Sequence, residues 1–552
     1  MSEHSAGGFV DRWPLIVQRT LLLFLAAIVA TLAITSVRLD SATADEGAHI
    51  ASGLIKLRHG WLSFFAEQPP LMNVISAMPL TSVSMDEQWR ETLHTRGHWA
   101  AGQRLLYASG NDAYRLLFLA RLPTIALFLA LSFAVYFFVT SETRSRTWGL
   151  FGFALTGFCP ALLAHGRLAT VDLAATAFMF FAFGATMLVL RRHHRLSQTK
   201  ATMIGALAGF FGMCAILAKT SGAIVVPFLA LVVALHAWRR RTWRPLLAPV
   251  LAALAAALVM LYAVTFALAS DGFLRAQHGG TPWLLIPWTQ YQIHIDAIRG
   301  WFQAGHENPQ FLLGEFSRTG WPHYYLVAFL LKTPLGALLL AVLAMVAALR
   351  RRSFAAHTAL LFVLLFFAVS ATSRIALGLR YVLPVYPFLY AAIAILLPRV
   401  VIDRKRALLV GALLAWHIGA SLVAWPSYLS YFNELIGSHR NADRFLIDSN
   451  LDWGQDLRRL GIWMHENEVP FIRVDYFGAG DIGYELGTRA ERWTAPRPEP
   501  IPPGWFAVSR HFYRTSFDTR ESPVDYDSYL AASGARYVTT IGGSIDVYRV
   551  AK

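Results

Sequence analysis

Long apolar stretches, separated by short polar connections rich in arginine, fill the first 425 or so residues of the chain. A bilayer-crossing helix needs about 20 predominantly apolar residues. On that measure about eleven segments are predicted, with approximate edges 15–37, 116–139, 147–164, 168–190, 201–218, 221–238, 245–269, 322–348, 354–372, 380–398 and 407–425. After about residue 426 the pattern changes. Phe445-Leu446-Ile447 and Phe471-Ile472-Arg473-Val474 read as short strands, as do Trp505 to Ser509 and Tyr537 to Arg549, with Gly542-Gly543 as a hairpin turn. Gln455 to Asn467 reads as an amphipathic helix with Leu457, Leu460, Ile462 and Trp463 as its apolar set. Pro496 to Pro503 reads as a proline-rich loop. The expected architecture is a polytopic α-helical membrane domain over 1–426 and a small α/β domain over 427–552.

The connections test the span count. Arg144 and Arg146 follow the second segment, and Arg191, Arg192 and Arg195 the fourth. Arg239 to Arg241 follow the sixth, Arg350 to Arg352 the eighth, and Arg399, Arg404, Lys405 and Arg406 the tenth. Every even-numbered exit is basic, which assigns those connections to the cytoplasm. The N-terminus is then inside, and the C-terminal domain and the long loop 38–115 are outside. Arg12 and Arg19 before Leu21 to Val37 resemble the start of a signal peptide. The apolar run is long for one and no clear small-x-small site follows, so it reads as a retained first span.

Composition agrees. Of 552 residues 55% are hydrophobic and only 15% charged, well below the soluble norm of about a quarter. The net charge of +15 comes from 49 basic and 34 acidic residues. Because the arginines cluster between apolar runs, they set topology, and no nucleic-acid partner is expected. The two cysteines, Cys159 and Cys214, lie inside apolar runs, which argues against a disulfide framework or thiolate metal site.

Polar residues on the outer face carry the candidate chemistry. Asp45-Glu46-Gly47-Ala48-His49 follows the first span; if it opens a helix, His49 shares a face with Asp45. Ile50, Leu54 and Ile55 would let that helix lie on the membrane surface. An acid pair there suits a general base, although acids at a helix N-terminus are also favoured by the macrodipole. In Glu67-Gln68-Pro69-Pro70-Leu71 two prolines hold the preceding carboxylate in one direction, or simply start a helix. Asp172 lies early in the fourth span, where a carboxylate costs roughly 2.5–3.5 kcal/mol on insertion scales and by default is functional. A buried pair with Arg167 is the plainer alternative. Lys219, Arg374 and Arg380 at outer turns, and Lys332 deeper in the eighth span, could clamp a phosphate, or snorkel to the interface. Asp448-Ser449-Asn450-Leu451-Asp452-Trp453-Gly454-Gln455-Asp456 begins like a calcium loop, but its glycine is one place late and Arg459 stands where a bidentate Glu is needed. A strand end, turn and capped helix, or a part in acceptor binding, remain. Phosphate-loop, His-Glu-x-x-His and Gly-x-Ser-x-Gly signatures are absent from the sequence.

The order of these motifs resembles a known family. An Asp-Glu pair after span one is followed by Glu-x-Pro-Pro-Leu, then Ala-His-x-x-Leu-x-Thr-x-Asp, an outer Lys-Thr, and Gly-Leu-Arg-Tyr-x-Leu-Pro-x-Tyr-Pro. This is similar to the phospholipid carrier-dependent glycosyltransferases, bacterial relatives of the protein O-mannosyltransferases (GT-C superfamily, family 39). The likeness covers about 1–426. Tyr431-Phe432-Asn433-Glu434 and the Asp448 to Leu457 stretch resemble the exterior tail of some members.

The resemblance implies a multi-pass protein of the bacterial inner membrane. It implies a sugar donor linked to polyprenyl phosphate, entering laterally from the lipid, and a protein or envelope glycolipid or polysaccharide acceptor. Asp45 matches the family's general base, with Glu46 as its partner and Asp172 as a second acid near acceptor or sugar. His49 and His165 fall in the acceptor or sugar site. Glu67 resembles an acid that helps hold a metal in the aminoarabinose transferases of the superfamily, so a divalent metal is an open expectation; His278 and His306 are its candidate partners. Those transferases carry Lys after that Glu where this chain has Gln68, which leaves Lys219 and Arg380 to hold the phosphate.

The chemistry of the residues is compatible with this. An acceptor hydroxyl or amine must lose a proton as it attacks the anomeric carbon, which Asp45 can accept. The leaving phosphate needs cations, and a single displacement inverts the centre. A transporter or flippase of lipid-linked sugars is the alternative, and a non-enzymatic receptor a third reading.

Overall fold

The computed structural model describes residues 9–86, 88, 90, 97–304, 310–350, 352–495, 499–519 and 524–551. The helical part runs α1 (Leu15–Val37), α2 (Glu46–His59), α3 (Pro70–Ala77), α4 (His98–Gln103), α5 (Ala113–Thr143), α6 (Arg146–Gly157), α7 (Pro160–His165), α8 (Asp172–Arg192) and α9 (Gln198–Ala218). It continues with α10 (Val225–Arg240), α11 (Arg244–Leu268), α12 (Asp271–His278), α13 (Ile286–Ala304), a hairpin of β1 (Gln310–Leu312) and β2 (Glu315–Ser317), then α14 (Tyr324–Lys332), α15 (Leu335–Arg350), α16 (Phe354–Ser370), α17 (Val385–Leu396) and α18 (Arg404–Ala424).

Among the described residues seven helices are long and apolar enough to cross a bilayer: α1, α5, α8, α9, α10 with its preceding turn, α11 and α18. The other four expected spans differ. The 322–348 segment is split into α14 and α15, bent by 114° at Thr333-Pro334, because proline cannot continue the preceding helix. The 147–164 segment is broken at Cys159-Pro160 into α6 and α7. Helix α16 has 17 residues and α17 only 12. Every residue of α17 is buried, so its all-round apolar character marks a bundle centre. In contrast α11 leaves Leu247, Leu251, Leu254, Leu258 and Val259 exposed, a face suited to lipid.

The arginine-rich ends are also where sequence caps the helices. Ser145, Ser197, Ser353 and Asp403 accept backbone N–H bonds at the starts of α6, α9, α16 and α18.

The long polar loop 38–115 is a folded subdomain. Helix α2 is buried from Glu46 through Lys56, so it does not lie on the membrane surface as its apolar stripe suggested. Helices α3 and α4 and the chain around Leu105 cover that stripe. Gly53 is what lets α3 close on it, since a Cβ there would meet the Asn73 carbonyl at 2.0 Å.

Past α18, the stretch from Tyr428 to Trp453 shares the hydrophobic core of the helices. Phe445 to Ile447 forms no strand; Leu446 is buried in that core, Ile447 is buried at the edge of a cavity, and the Phe445 carbonyl accepts a single backbone bond from the Leu313 N–H at 2.9 Å. The sheet domain begins with α19 (Leu457–Glu466) and adds β3 (Ile472–Asp475), α20 (Ile482–Leu486), β4 (Ala490–Arg492), β5 (Gly504–Ser509), α21 (Arg510–Thr519), α22 (Tyr526–Ala532), β6 (Ala535–Ile541) and β7 (Ile545–Val550). The strand order is β4-β3-β5-β7-β6; β3 is parallel to both neighbours and β7 antiparallel to both of its own. Alternation along β5 sends Ala507 toward α19 and Phe506 and Val508 toward α22. In α19 the buried apolar residues are Leu457, Leu460 and Met464; Ile462, expected inside, is 37% exposed. Part of the proline-rich stretch, 496–498, lies outside the described residues.

Candidate functional site

A cavity of about 1160 Å³ opens where the helix ends, the first-loop subdomain and the C-terminal domain meet. Asp45, Glu67 and Phe65 line it from the first loop, Lys219, Arg380 and Tyr381 from the helix ends, and Asp448, Trp453, Phe477 and His511 from the C-terminal region.

Asp45 occupies the N-cap position of α2, yet its side chain makes no capping bond. Its carboxylate instead accepts from Arg380 Nη1 at 2.9 Å. The same Nη1 lies 3.8 Å from Asp172 Oδ2, and Lys219 Nζ donates to Asp172 Oδ1 at 2.5 Å. Two carboxylates and two cations thus alternate, with Asp172 buried just behind the wall. The partner of Asp172 is therefore Lys219, not Arg167, which pairs with Asp40. Aromatic faces fix the cations: Arg380 sits 4.4 Å from the Trp453 ring centre and Lys219 4.2 Å from that of Tyr381.

Glu46 goes the other way. It is fully buried and both oxygens are taken: by Arg121 Nε and the Ala169 N–H, and by Arg121 Nη2, the Thr43 N–H and the Thr43 hydroxyl. Burial alone would raise its carboxyl, but Arg121 and these donors hold it below the ordinary value. The expectation of a catalytic Glu46 is corrected to a positioning part, because no valence is left for a substrate.

Lys332 is likewise withdrawn. Its Nζ donates to the Leu429 and Asn450 carbonyls at 2.7 and 2.5 Å, under the Phe432 ring, outside the cavity lining. The cation expected for a phosphate instead ties the end of α14 to two carbonyls of the stretch that follows α18. His49 bonds Asn73 at 2.9 Å and His165 packs edge-on to Trp453; both are buried, neither lines the cavity, and burial keeps His49 below its usual value. Arg374 is exposed and outside the lining, while its carbonyl accepts from Gln310.

Glu67 and Gln68 both line the cavity. Among the described residues no group of three His, Cys, Asp or Glu side chains is placed to hold a metal. His278 is engaged by Gln290 and Thr289, and His306 lies outside the described residues. Glu67 does face Lys56, whose buried ammonium donates to Ser52 and the Phe64 carbonyl. Burial pushes Lys56 down to about 7, opposed by the charge of Glu67.

Several site residues escaped sequence reasoning. Two flat shelves border the cavity: Phe65 stacked on His98, centroids 4.0 Å apart, and Phe477 stacked on His511 at 3.8 Å. Phe65 and Asp448 both hold positive φ, 59° and 57°, backbone strain of a kind that gathers at functional sites. The Asp448 stretch, read as turn or acceptor element, holds the Arg380 turn. Asn450 Oδ1 accepts the Leu379 N–H at 2.8 Å, and the Ser449 hydroxyl donates to the Leu377 carbonyl at 3.0 Å. A Cβ at Gly378 would meet Ser449 Oγ at 2.1 Å, so a larger residue there would displace the Ser449 hydroxyl from the Leu377 carbonyl. Only a signal tying Gly378-Leu379-Arg380 to residues seventy positions later would have revealed this in sequence.

No known family model matches this chain, nor does any curated protein. Among solved structures it is similar to ArnT from Cupriavidus metallidurans in the apo state, with TM-score 0.50 and 13% identity over 96% of this chain and 98% of that one. ArnT bound to undecaprenyl phosphate aligns at TM-score 0.46 and 13% identity, again over 96% and 98%. The Archaeoglobus fulgidus oligosaccharyltransferase in the apo form aligns at TM-score 0.46 and 14% identity, over 88% of this chain and 62% of that one. At such identity the likeness concerns the fold alone: a polytopic α-helical architecture shared with ArnT, with a small sheet domain at its C-terminal end.

Proposed function

We propose that this chain is a glycosyltransferase that moves a sugar from a polyprenyl-phosphate carrier to a hydroxyl or amine of an acceptor at the outer face of the bacterial inner membrane. One observation carries the reading: Asp45 stands uncapped in the wall of a large cavity, held by Arg380 beside Lys219. The fold shared with ArnT supports it.

The carrier phosphate would dock on Arg380 and Lys219. Arg380 then divides its N–H groups between that phosphate and Asp45, which loosens the ion pair and leaves Asp45 a free lone pair. The acceptor O–H or N–H gives its proton to Asp45 while its heavy atom attacks the anomeric carbon from the face opposite the phosphate. The bond to the phosphate oxygen breaks and its negative charge settles on the two cations. Configuration inverts. Asp172 keeps Lys219 aimed through its hydrogen bond and holds Arg380 near by charge, at 3.8 Å. The Phe65–His98 and Phe477–His511 shelves offer flat apolar faces for a sugar ring. A divalent ion would take Glu67, but the described donor set does not fit one, and no step here runs through it.

Asp45→Asn tests the reading. The variant keeps a similar shape and should fold and bind the carrier, yet lose on the order of 100- to 10,000-fold in transfer. Mass comparison of envelope glycans and glycoproteins from cells carrying wild type, Asp45→Asn or no chain reads this out. Wild-type glycan profiles in Asp45→Asn cells would defeat it, and carrier movement surviving in that variant would favour a flippase.

A further inference from the structure

At the ends of α8, α10 and α16 remote from Asp45 lies a second cavity, about 630 Å³ in volume. It is about 30 Å from Asp172 along α8, at 1.5 Å per residue. Its lining holds five arginines and three histidines against one glutamate, Glu142. Arg191 already pairs with Glu142. Among the described residues no ion pair engages the other four lining arginines, Arg239, Arg240, Arg352 and Arg399. Arg399 even donates to the carbonyl of Arg352, drawing two arginine positions together. Like charges gathered in a concave wall repel unless an anion sits among them.

A second observation points to an occupant. His236 is in the wall, only 8% exposed, and its buried Nε2 has no hydrogen-bond partner. Buried polar atoms of this kind are normally satisfied, so a donor or acceptor from outside the chain is called for. The depth of the cavity says which. Trp238 and Trp243, 72% and 52% exposed, flank the α10–α11 turn, and exposed tryptophans beside membrane helices sit at headgroup level. Basic pockets between membrane helices at this level take anionic lipid headgroups.

We propose that this cavity binds the phosphate of an anionic phospholipid from the leaflet opposite the Asp45 face, with the lining arginines as counter-ions and His236 as a hydrogen-bond partner. The inference does not depend on the catalytic reading.

The test uses purified full-length protein in a neutral detergent. Saturable binding of phosphatidylglycerol should raise the melting temperature, while phosphatidylcholine and inorganic phosphate should not reproduce the shift. Arg240→Gln/Arg352→Gln should weaken phosphatidylglycerol binding on the order of tenfold or more. Arg195→Gln/Arg241→Gln, which removes equal charge from the same end of the helices but outside the lining, should retain it. If the first double variant does not fold, lipid retention by Arg240→Gln and Arg352→Gln singly, read by native mass spectrometry, takes its place. Equal responses from the two double variants, equal stabilisation by phosphatidylcholine, or a full response to inorganic phosphate would each overturn the proposal.

Discussion

Asp45 and Glu46 are adjacent carboxylates with different work. Asp45 faces a cavity and meets one cation; Glu46 is sealed behind it and knots Arg121, Thr43 and Ala169 together. Glu46→Gln should therefore destabilise the protein, by on the order of 3 kcal/mol, since it leaves Arg121 buried without its counter-charge. A lower melting temperature checks this, in contrast to Asp45→Asn, which should melt like wild type. Asp452 supplies a pH effect. Burial pushes its carboxyl up to about 7, although the N–H groups of His511 and Gly454 point at it. Between about pH 4, where an unfolded aspartate ionises, and about 7, the folded chain holds a proton that the unfolded chain has lost. Protonation favours folding in that window, so stability falls as pH rises through it and the cost is present in full above about 7. Asp452→Asn removes this contribution. Its melting temperature relative to wild type should rise between pH 4 and 7.5; a constant gap would contradict the assignment.

Among the elements, α2 decides how the acids are presented. Gly53 brings the α3 backbone against it, and the resulting contact orients the His49–Asn73 bond and the Phe65 shelf. Gly53→Val must push α3 away, and overpacking of this kind typically costs about 1–3 kcal/mol. Loss of stability together with weaker transfer, the latter measured with saturating donor, is the expected result. The sequence made α2 legible as a helix because its apolar period is local. It did not reveal that the stripe faces protein, because α3 and α4 cover it and their approach depends on a missing Cβ, not on a pattern. In the same way the apolar run 322–348 was legible as one span, but its break at Pro334 and the 114° angle there were not.

At the scale of the molecule, the C-terminal domain is docked by a buried charge cluster. Asp40 bonds Arg167 and Arg459, and Arg459 reaches Asp456 as well. The backbone adds Ser41 N–H to the Gln455 carbonyl and Ala44 N–H to that of Trp453, both at 3.0 Å. The segment leading into Asp45 is thus held by the C-terminal region, which also supplies the Phe477–His511 shelf. Arg459→Leu should cost about 3–5 kcal/mol by leaving the buried Asp456 without its cation and Asp40 with Arg167 alone. Faster proteolysis between the helices and the sheet domain, with transfer reduced, would report the loosened dock; unchanged cleavage would argue that the sheet domain is held by other contacts.

Hydrophobic run length and proline position are local properties, so the chain's own order of residues determined where helices run, where they break, and which ends carry arginine. The same order placed Asp45, Asp172, Lys219 and Arg380 at helix ends on one side. It could not say which charges face a cavity, because that depends on partners far along the chain: Asp45 meets Arg380 across 335 positions and Asp40 meets Arg459 across 419. Lys332 and Glu46 look no different from Lys219 and Asp45 as letters. Tertiary packing alone decided that the first pair is spent on the protein's own carbonyls, amides and arginine while the second stands in the cavity wall, since burial and hydrogen-bond saturation arise only when distant segments close on one another.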